Sequence, residues 1–334
     1  MNTYRVLNKQ VFSSDMFSIV PIRMEDRYLI MKWRNEQIYH LRQNKPLTKE
    51  EQDNYFSTVV KSLFDKEKPE QILFSYLEGE KCIGYGGLVH INWVDKNAEI
   101  SFVINTELEK DFFHKHWVTY LSLIEQVAFE ELGFKKIYTY AFNLRAKLYI
   151  ALESCGFKLE QRLINHVDID GVMTDVLIHS KTADYYLRYA TVDDTDITYK
   201  WASDETIRKY AFNKQKIEFK DHSIWFKNKI SDINCNYFIL CDKNGKCMGS
   251  IRFDLNESGE AMISYLIDPE FHGKGLGSVI LKLGIQQIRW NKPDVKIVYG
   301  LVQPENTVSV KIFERLGFNM SAKDSGSIRF DKIL

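Results

Sequence analysis

The sequence lacks the features that define several classes of protein. No apolar run approaches the ~20 residues that a membrane-spanning helix needs, and the start, MNTYRVLNKQVFSSD, has no apolar stretch of the secretory kind. We therefore expect no contact with membranes. Charge of one sign is also lacking, because 45 Lys and Arg residues balance 45 Asp and Glu residues. A general nucleic-acid binder would usually carry a basic excess, so we expect no nucleic-acid partner.

Cysteine is scarce and shows no pattern of pairing. The five residues include no CxxC pair, and their odd number argues against a disulfide framework. This usage is typical of a reducing cytoplasm, where we place the protein. Cys235, Cys241 and Cys247 are evenly spaced and metal ligation is an alternative, but no His or Cys partner stands at zinc spacing. Positions in strands and turns explain the three thiols better, and we expect no metal.

What is present is a long internal repeat. The chain of 334 residues is long enough for about two domains, and both halves predict the order βααβββαβαβ. The fourth strands align residue by residue, Ile100-Ser-Phe-Val-Ile104 with Ile263-Ser-Tyr-Leu-Ile267. Each half also ends a helix in Gly-Phe, at Gly156 and Gly317. We predict two α+β (α/β/α) domains, 1–182 and 183–334, each a mixed, mostly antiparallel sheet flanked by helices.

Local signals support helices within each half. Thr48 with Glu51 three residues later forms a capping-box pattern at the start of an amphipathic helix over 48–63. The second half predicts its counterpart over 218–230. A long helix follows each fourth strand, over about 117–132 and 276–290. The short polar stretch 180–184 predicts the junction between the domains.

The most specific chemical motif is the glycine-rich turn Asp268-Pro-Glu-Phe-His-Gly-Lys-Gly-Leu-Gly-Ser278. It follows a predicted strand and opens a predicted helix. Glycines there let backbone N–H groups converge, and a helix N-terminus adds partial positive charge, which suits a pyrophosphate. The spacing does not match GxGxxG, and no Gly-Lys-Ser/Thr is present, so Rossmann and Walker loops are excluded. A glycine-rich turn without a ligand is the alternative.

The second half resembles the GNAT acetyltransferase superfamily. His272-Gly-Lys-Gly-Leu-Gly277 is similar to that family's coenzyme A loop, (Arg/Gln)-x-x-Gly-x-(Gly/Ala), and Asn306-x-x-Ser309 with Leu316-Gly-Phe318 is similar to its next motif. The resemblance implies an N-acetyltransferase with acetyl-CoA as co-substrate and no metal. It also implies that the fourth and fifth strands splay apart around the pantetheine arm. The residues that it implies for coenzyme binding are Leu266, Ile267, His272, Gly273, Lys274, Gly275, Leu276, Gly277, Ser278, Asn306 and Phe313.

The first half resembles the family less closely. It keeps the element order, Asn143 and Gly156-Phe157, but its loop, Glu109-Lys-Asp-Phe-Phe-His-Lys-His-Trp117, contains no glycine. Bulky and acidic side chains there would crowd and repel a pyrophosphate. This copy is therefore either a vestigial site or a site for something else.

Candidate catalytic residues follow from the needs of acetyl transfer to an amine. The amine must lose a proton, and Glu260 before the fourth strand is our candidate base, a solvated turn residue being the alternative. Glu99 lies two positions further along the aligned strand of the first copy. In the family, a Tyr four residues before the Gly of Gly-Phe often acts as the general acid that protonates the thiolate. This chain has Phe313 at that position. Either Ser309 or solvent would then assist the departing thiolate.

Substrate contacts are expected from the first two helices of the second half and the loop between them. We predict a sugar-face stack and a phosphate contact from Trp201, Arg208 and Phe212, since Arg presents a planar fork suited to phosphate. Core positions for the aromatic residues and a solvated Arg are the alternative. Stretches such as Trp201-Ala-Ser-Asp204 resemble acetyltransferases of amino-sugar nucleotides, which implies a small-molecule amine as the partner.

Several other functions stay open at the level of the sequence. A protein N-terminus or a small amine is the second acceptor class, and a non-catalytic module that binds acyl-CoA or a partner is the rival function. Both a homodimer and a monomer with two dimer-like domains are compatible with the repeat.

Overall fold

A computed structural model describes residues 2–323 and 326–334 of the chain. The chain divides into two compact units between Ala183 and Asp184, one residue from the boundary that the sequence predicts. We call them unit 1 and unit 2. Within the described residues, no helix has both the length and the apolar character that crossing a bilayer requires.

Unit 1 is built on an eight-stranded sheet in the order β1-β2-β3-β4-β5-β6-β8-β7. Neighbouring strands pair in antiparallel fashion except β5 and β6, which are parallel. The strands are β1 (Phe12–Ser14), β2 (Phe17–Pro21), β3 (Ile72–Glu78), β4 (Lys81–Asn92), β5 (Asn97–Ile104), β6 (Lys136–Phe142), β7 (Lys158–Ile169) and β8 (Val172–Thr182). The helices are α1 (Arg27–Glu36), α2 (Lys49–Tyr55), α3 (Lys61–Leu63), α4 (Thr106–Glu125) and α5 (Ala146–Ser154).

Unit 2 repeats this plan with a seven-stranded sheet in the order β14-β15-β13-β12-β11-β10-β9. Here the parallel pair is β12 and β13. The strands are β9 (Tyr185–Tyr189), β10 (Cys235–Asp242), β11 (Cys247–Leu255), β12 (Glu260–Ile267), β13 (Ile297–Val302), β14 (Asn319–Lys323) and β15 (Ile328–Ile333). The helices are α6 (Thr195–Ser203), α7 (Glu205–Arg208), α8 (Phe219–Ser231), α9 (Leu276–Asn291) and α10 (Thr307–Arg315).

The predicted fold class is confirmed, and the local signals explain where helices start. The Thr48 hydroxyl accepts from the Glu51 N–H at 3.2 Å while the Glu51 carboxylate accepts from the Thr48 N–H at 2.9 Å. This capping box opens α2, and a π-helical turn, Phe56–Val60, joins α2 to α3. One expected boundary was wrong, since α4 begins at Thr106 and not near residue 117.

The parallel strands of unit 2 part halfway along their length. Their register runs from the Glu260–Ile297 pair to the Ile263–Gly300 pair and then stops. Beyond it, β12 stays on β11 as far as Ile267, whereas β13 stays on β15 as far as Val302. The predicted splay is therefore present, and it leaves an opening between the two strand ends.

The core of unit 2 packs tightly against the back of this opening. Phe313 of α10 is 2% exposed, and its ring stacks 5.4 Å from the ring of Phe330. A Cβ at Gly300 would lie 2.4 Å from the tip of the Phe313 ring, so the close approach of α10 to β13 requires glycine there.

Trp201 on α6 is part of this architecture. It is 1% exposed, and its indole N–H donates to the Asp268 carboxylate at 2.8 Å. Asp268 is itself buried and stands at the start of the glycine-rich turn. Its other carboxylate oxygen accepts from the Glu270 N–H at 3.0 Å and so caps the first residues of the turn. The tryptophan thus fixes the start of the turn from inside the protein.

Replacing Trp201 by Phe removes this donor and leaves the buried carboxylate without it. We expect a loss of about 1.5–3 kcal/mol in the free energy of unfolding, the range for hydrogen bonds to charged groups. The matched control is Trp225→Phe, since Trp225 is 37% exposed. Urea unfolding of both variants measures the difference, and equal losses would contradict the role of the hydrogen bond.

Candidate functional site

The glycine-rich turn forms an open cradle at the start of α9. Gly273 and Gly275 adopt φ values of 78° and 77°, the left-handed region that favours glycine. A Cβ at either position would meet no other atom within 4 Å, so this backbone faces open space. Leu276 and Gly277 begin α9, where the first N–H groups have no acceptor within the helix. These amides and the helix dipole together suit a phosphate or diphosphate.

Positive side chains stand around the cradle. Lys274 lies within it, and the Arg315 guanidinium donates to the Ser278 hydroxyl at 3.3 Å. This contact brings the C-terminal end of α10 to the first turn of α9. Arg315 lies in the segment before Gly317, but its proximity to α9 depends on how two helices pack and is not visible in the sequence.

His272 has a different role from the one expected of it. Its Nε2 lies 2.9 Å from the Ile267 carbonyl oxygen. A carbonyl only accepts, so Nε2 carries the proton of this bond. His272 therefore ties the cradle to the end of β12, and the Ile267 carbonyl is already occupied.

Backbone pairing shows which groups of β12 face the opening. The Asp268 N–H donates to the Met248 carbonyl at 2.9 Å, so its polar groups face β11. These groups alternate along a strand, so those of Leu266 also face β11, while those of Tyr265 and Ile267 face the opening. The expectation that the Leu266 backbone binds a ligand was therefore wrong. Tyr265 takes that place and was missed, because only the register reveals the alternation.

The far side of the opening is the start of α10. Asn306 caps this helix, its side-chain oxygen accepting from the Ser309 N–H at 3.2 Å. The Ser309 hydroxyl lies 3.0 Å from the Tyr265 hydroxyl, so β12 and α10 are joined across the opening. Phe313, in contrast, is buried against Gly300 and lines no open space, which corrects its expected contact with the coenzyme.

Glu260 does not stand where a base for this site is needed. Its carboxylate accepts from the Arg329 guanidinium at 2.9 Å and from the Asn256 amide at 3.2 Å. It also begins the paired half of β12, about 16 Å of strand from Tyr265 at ~3.3 Å per residue. This pairing and this position argue against Glu260 as the base, and Met262 occupies the position that Glu99 has in unit 1.

The three residues expected to contact the substrate lie in different surroundings. Trp201 is too buried to stack on a sugar. Arg208 Nη2 donates to the Gln215 carbonyl at 2.5 Å and to the Asn213 carbonyl, so this nitrogen holds the loop after α7. Phe212, in that loop, is 58% exposed and stays available to a substrate.

Unit 1 has a helix where unit 2 has its cradle. α4 starts at Thr106, and the Glu109 N–H donates to the Asn105 carbonyl at 3.0 Å, so the chain is already helical three residues before the position of Gly275. Phe112, aligned with Gly275, keeps a negative φ of −124° and kinks the helix. The crowding expected from the missing glycines is therefore seen as a changed backbone.

Internal charges fill the same region of unit 1. Glu109 is 5% exposed and lies 3.5 Å from Arg145 and 3.7 Å from Lys147. Arg145 precedes α5 as Asn306 precedes α10, and each stands eleven residues before its Gly-Phe. Arg145 is thus the counterpart of Asn306, and the match assigned to Asn143 was wrong by two positions.

Comparison with known proteins identifies both units. Residues 19–178 and residues 185–319 each match a family described as "Acetyltransferase (GNAT) domain". The chain belongs to the GNAT acetyltransferases and carries two of these domains in tandem. The predicted class of acyltransferase is therefore confirmed.

The relatives include one curated protein and several solved structures. An uncharacterized N-acetyltransferase of Methanocaldococcus jannaschii is 26% identical over 194 residues, which are 55% of this chain and 81% of the relative. A solved domain from the same organism shares 22% identity over 45% of this chain and 98% of that chain, with a TM-score of 0.41. The spermidine N-acetyltransferase of Vibrio cholerae, solved with CoA and spermine, shares 18% identity over 45% of this chain and 95% of that chain, with a TM-score of 0.42.

The charge cluster of unit 1 predicts a pH dependence. His40 Nε2 lies 3.1 Å from Arg145 Nη1 and 3.3 Å from the Gln37 side-chain oxygen, so the Arg145 charge stands directly against the imidazole. Burial and the Arg145 charge lower the pKa of His40 to about 3. The unfolded chain binds this proton near pH 6.5 and the folded chain does not, so stability falls as the pH falls below 6.5.

Replacing His40 by Phe should remove this contribution to the pH dependence. The free energy of unfolding of the wild type should fall about 2 kcal/mol more than that of the variant between pH 7 and pH 5. Urea unfolding at both pH values measures the two slopes, and parallel slopes would refute a neutral buried His40.

Proposed function

We propose that unit 2 binds acetyl-CoA and transfers its acetyl group directly to a primary amine. The observation that carries the proposal is the open cradle at Gly273–Gly277 beside the gap that follows the Ile263–Gly300 pair. Membership of the GNAT acetyltransferases supports it. The Vibrio cholerae spermidine N-acetyltransferase and the aminoglycoside acetyltransferase AAC(6')-Ib were both solved with coenzyme A.

In this proposal each part of the site has one task. The amides of the cradle hold the diphosphate, with Lys274 and Arg315 adding positive charge. The opening between β12 and β13 takes the pantetheine arm, beside Asn306. Backbone N–H groups of Tyr265 and Ile267 face this opening and are the donors available to polarise the acetyl carbonyl.

Transfer then needs only a neutral amine and a leaving thiolate. The amine nitrogen bonds to the acetyl carbon, the carbon–sulfur bond breaks, and the electron pair stays on sulfur. Because Glu260 is committed to Arg329 at the paired end of β12, we assign the removal of the amine proton to water. The five cysteines are free thiols, in keeping with the reducing cytoplasm in which we place the enzyme.

We further propose that unit 1 takes no acyl donor. α4 runs through the position where unit 2 has its cradle, and Glu109 already pairs with Arg145 and Lys147. A second anion would have to displace this buried carboxylate, which lies in a low-dielectric setting.

Gly275→Asp should abolish coenzyme A binding. The substitution strains a backbone at φ 77° and sets a carboxylate into the cradle. Calorimetry should give one coenzyme A per wild-type chain and at least a 100-fold loss of affinity in the variant.

The matched control is Gly245→Asp, in the hairpin between β10 and β11. Gly245 has φ 85° with open space around it, so the strain is the same but the charge lies elsewhere. This variant should bind coenzyme A as the wild type does. Two molecules of coenzyme A bound per wild-type chain would refute the proposal that unit 1 takes no acyl donor. No binding of coenzyme A to the wild type would favour the non-catalytic function.

For the acceptor we propose the primary amine of an amino-sugar nucleotide. The sequence resemblance favours it, and the exposed ring of Phe212 offers a flat apolar surface. We expect UDP- or dTDP-linked 4-amino sugars to be acetylated faster, in kcat/KM, than spermidine, an aminoglycoside or an N-terminal peptide. Phe212→Ala should lower kcat/KM for the preferred acceptor about tenfold without changing the affinity for coenzyme A. A higher kcat/KM with a simple amine or an N-terminal peptide would contradict this proposal and favour the second acceptor class.

A further inference from the structure

The proposed reaction leaves one chemical demand unmet, a hydrogen-bond donor for the departing sulfur. We propose that the paired hydroxyls of Tyr265 and Ser309 supply it, Tyr265 being the catalytic residue that contacts the sulfur and Ser309 the residue that positions it. The inference rests on the proposed function of unit 2. It concerns the side chain of Tyr265, whereas the backbone N–H of the same residue serves the acetyl oxygen.

The location of the pair follows from the register. Tyr265 lies two residues beyond Ile263, the last residue of β12 that pairs with β13. Its hydroxyl lies 3.0 Å from the hydroxyl of Ser309, in the first turn of α10. The phenol therefore spans from β12 to α10 across the opening that is to hold the arm.

The ring of Tyr265 packs among apolar groups. The Tyr265 ring packs 6.2 Å from the ring of Phe313, and a Cβ at Gly277 would lie 3.6 Å from the Tyr265 ring. Ile312 contributes to the same cluster. Apolar walls strengthen any hydrogen bond made inside the opening.

A count of protons shows that the pair has one to give. Two hydroxyls carry two protons, and the bond between them uses one. Whichever hydroxyl accepts keeps its own proton for a further acceptor. Burial raises the pKa of Tyr265 above its ordinary value, partly offset by Ser309, so the phenol is protonated at neutral pH.

The counterpart positions in unit 1 carry no hydroxyl. Tyr265 aligns with Phe102, whose ring stacks 3.8 Å from that of Tyr120, and Ser309 aligns with Leu148. The hydroxyl pair thus occurs only in the unit that has the cradle.

The atoms and protons of this step balance without a further reagent. As the carbon–sulfur bond breaks, the thiolate accepts a hydrogen bond or the proton from Tyr265. The proton that the amine has released to water restores the pair through Ser309. The products are the amide and the free thiol of coenzyme A.

The test uses coenzyme A alone, so it needs no acceptor. A donor aimed at the sulfur stabilises the bound thiolate and lowers the pKa of the bound thiol. The ultraviolet absorbance of the thiolate, followed against pH, measures that pKa in the wild type and in Tyr265→Phe. We expect the pKa to be at least about one unit lower in the wild type, a tenfold shift in the ionisation constant. Ser309→Ala should fall between the two.

Desulfo-coenzyme A provides the control for folding and for the rest of the arm. Tyr265→Phe should bind it as tightly as the wild type does. Equal thiol pKa values in proteins that both bind desulfo-coenzyme A would overturn the role of the hydroxyl and leave the proposed function standing. An equal loss of affinity for coenzyme A and its desulfo analogue would also overturn it, by placing the hydroxyl on the arm. A wild type that binds neither compound would refute the proposed function itself.

Discussion

The parting of β12 from β13 is the constraint on which the site of unit 2 depends. Pairing ends at Ile263 and Gly300, and each strand then leads into a helix that starts at the same edge of the sheet. The end of pairing therefore turns the backbone N–H groups of Tyr265 and Ile267 to the opening and brings two helix N-termini to it. In parallel sheets this edge is where ligands are commonly bound, because unsatisfied amides and helix dipoles point there.

The two units answer the same electrostatic problem in different ways. Unit 2 leaves N–H groups exposed at the cradle with Lys274 and Arg315 beside them, an arrangement that suits an added anion. Unit 1 has α4 at the same position, and there Glu109 pairs with Arg145 and Lys147. The repeated fold thus keeps its architecture while the two copies differ at this position, which agrees with the general separation of fold from function.

Much of the fold was readable from the sequence, because alternation, caps and the Gly-Phe helix ends are local signals. The cradle was readable for the same reason, since its glycines are contiguous. The roles of Trp201, Arg208 and Glu260 could not be predicted from the sequence. Trp201 and Glu260 each bind a partner that is distant in sequence, and Arg208 binds the backbone of a loop. Tyr265 was missed because its importance comes from strand register. Asn143 was matched to Asn306 by residue type, although Arg145 stands at the equivalent position.

The most direct test of this account is a crystal structure of the full chain with coenzyme A. We predict one molecule per chain, its diphosphate on the amides of Gly273–Gly277 and its arm between β12 and β13, with unit 1 empty. A molecule bound with its diphosphate away from this cradle, or one held at α4 of unit 1, would contradict the account.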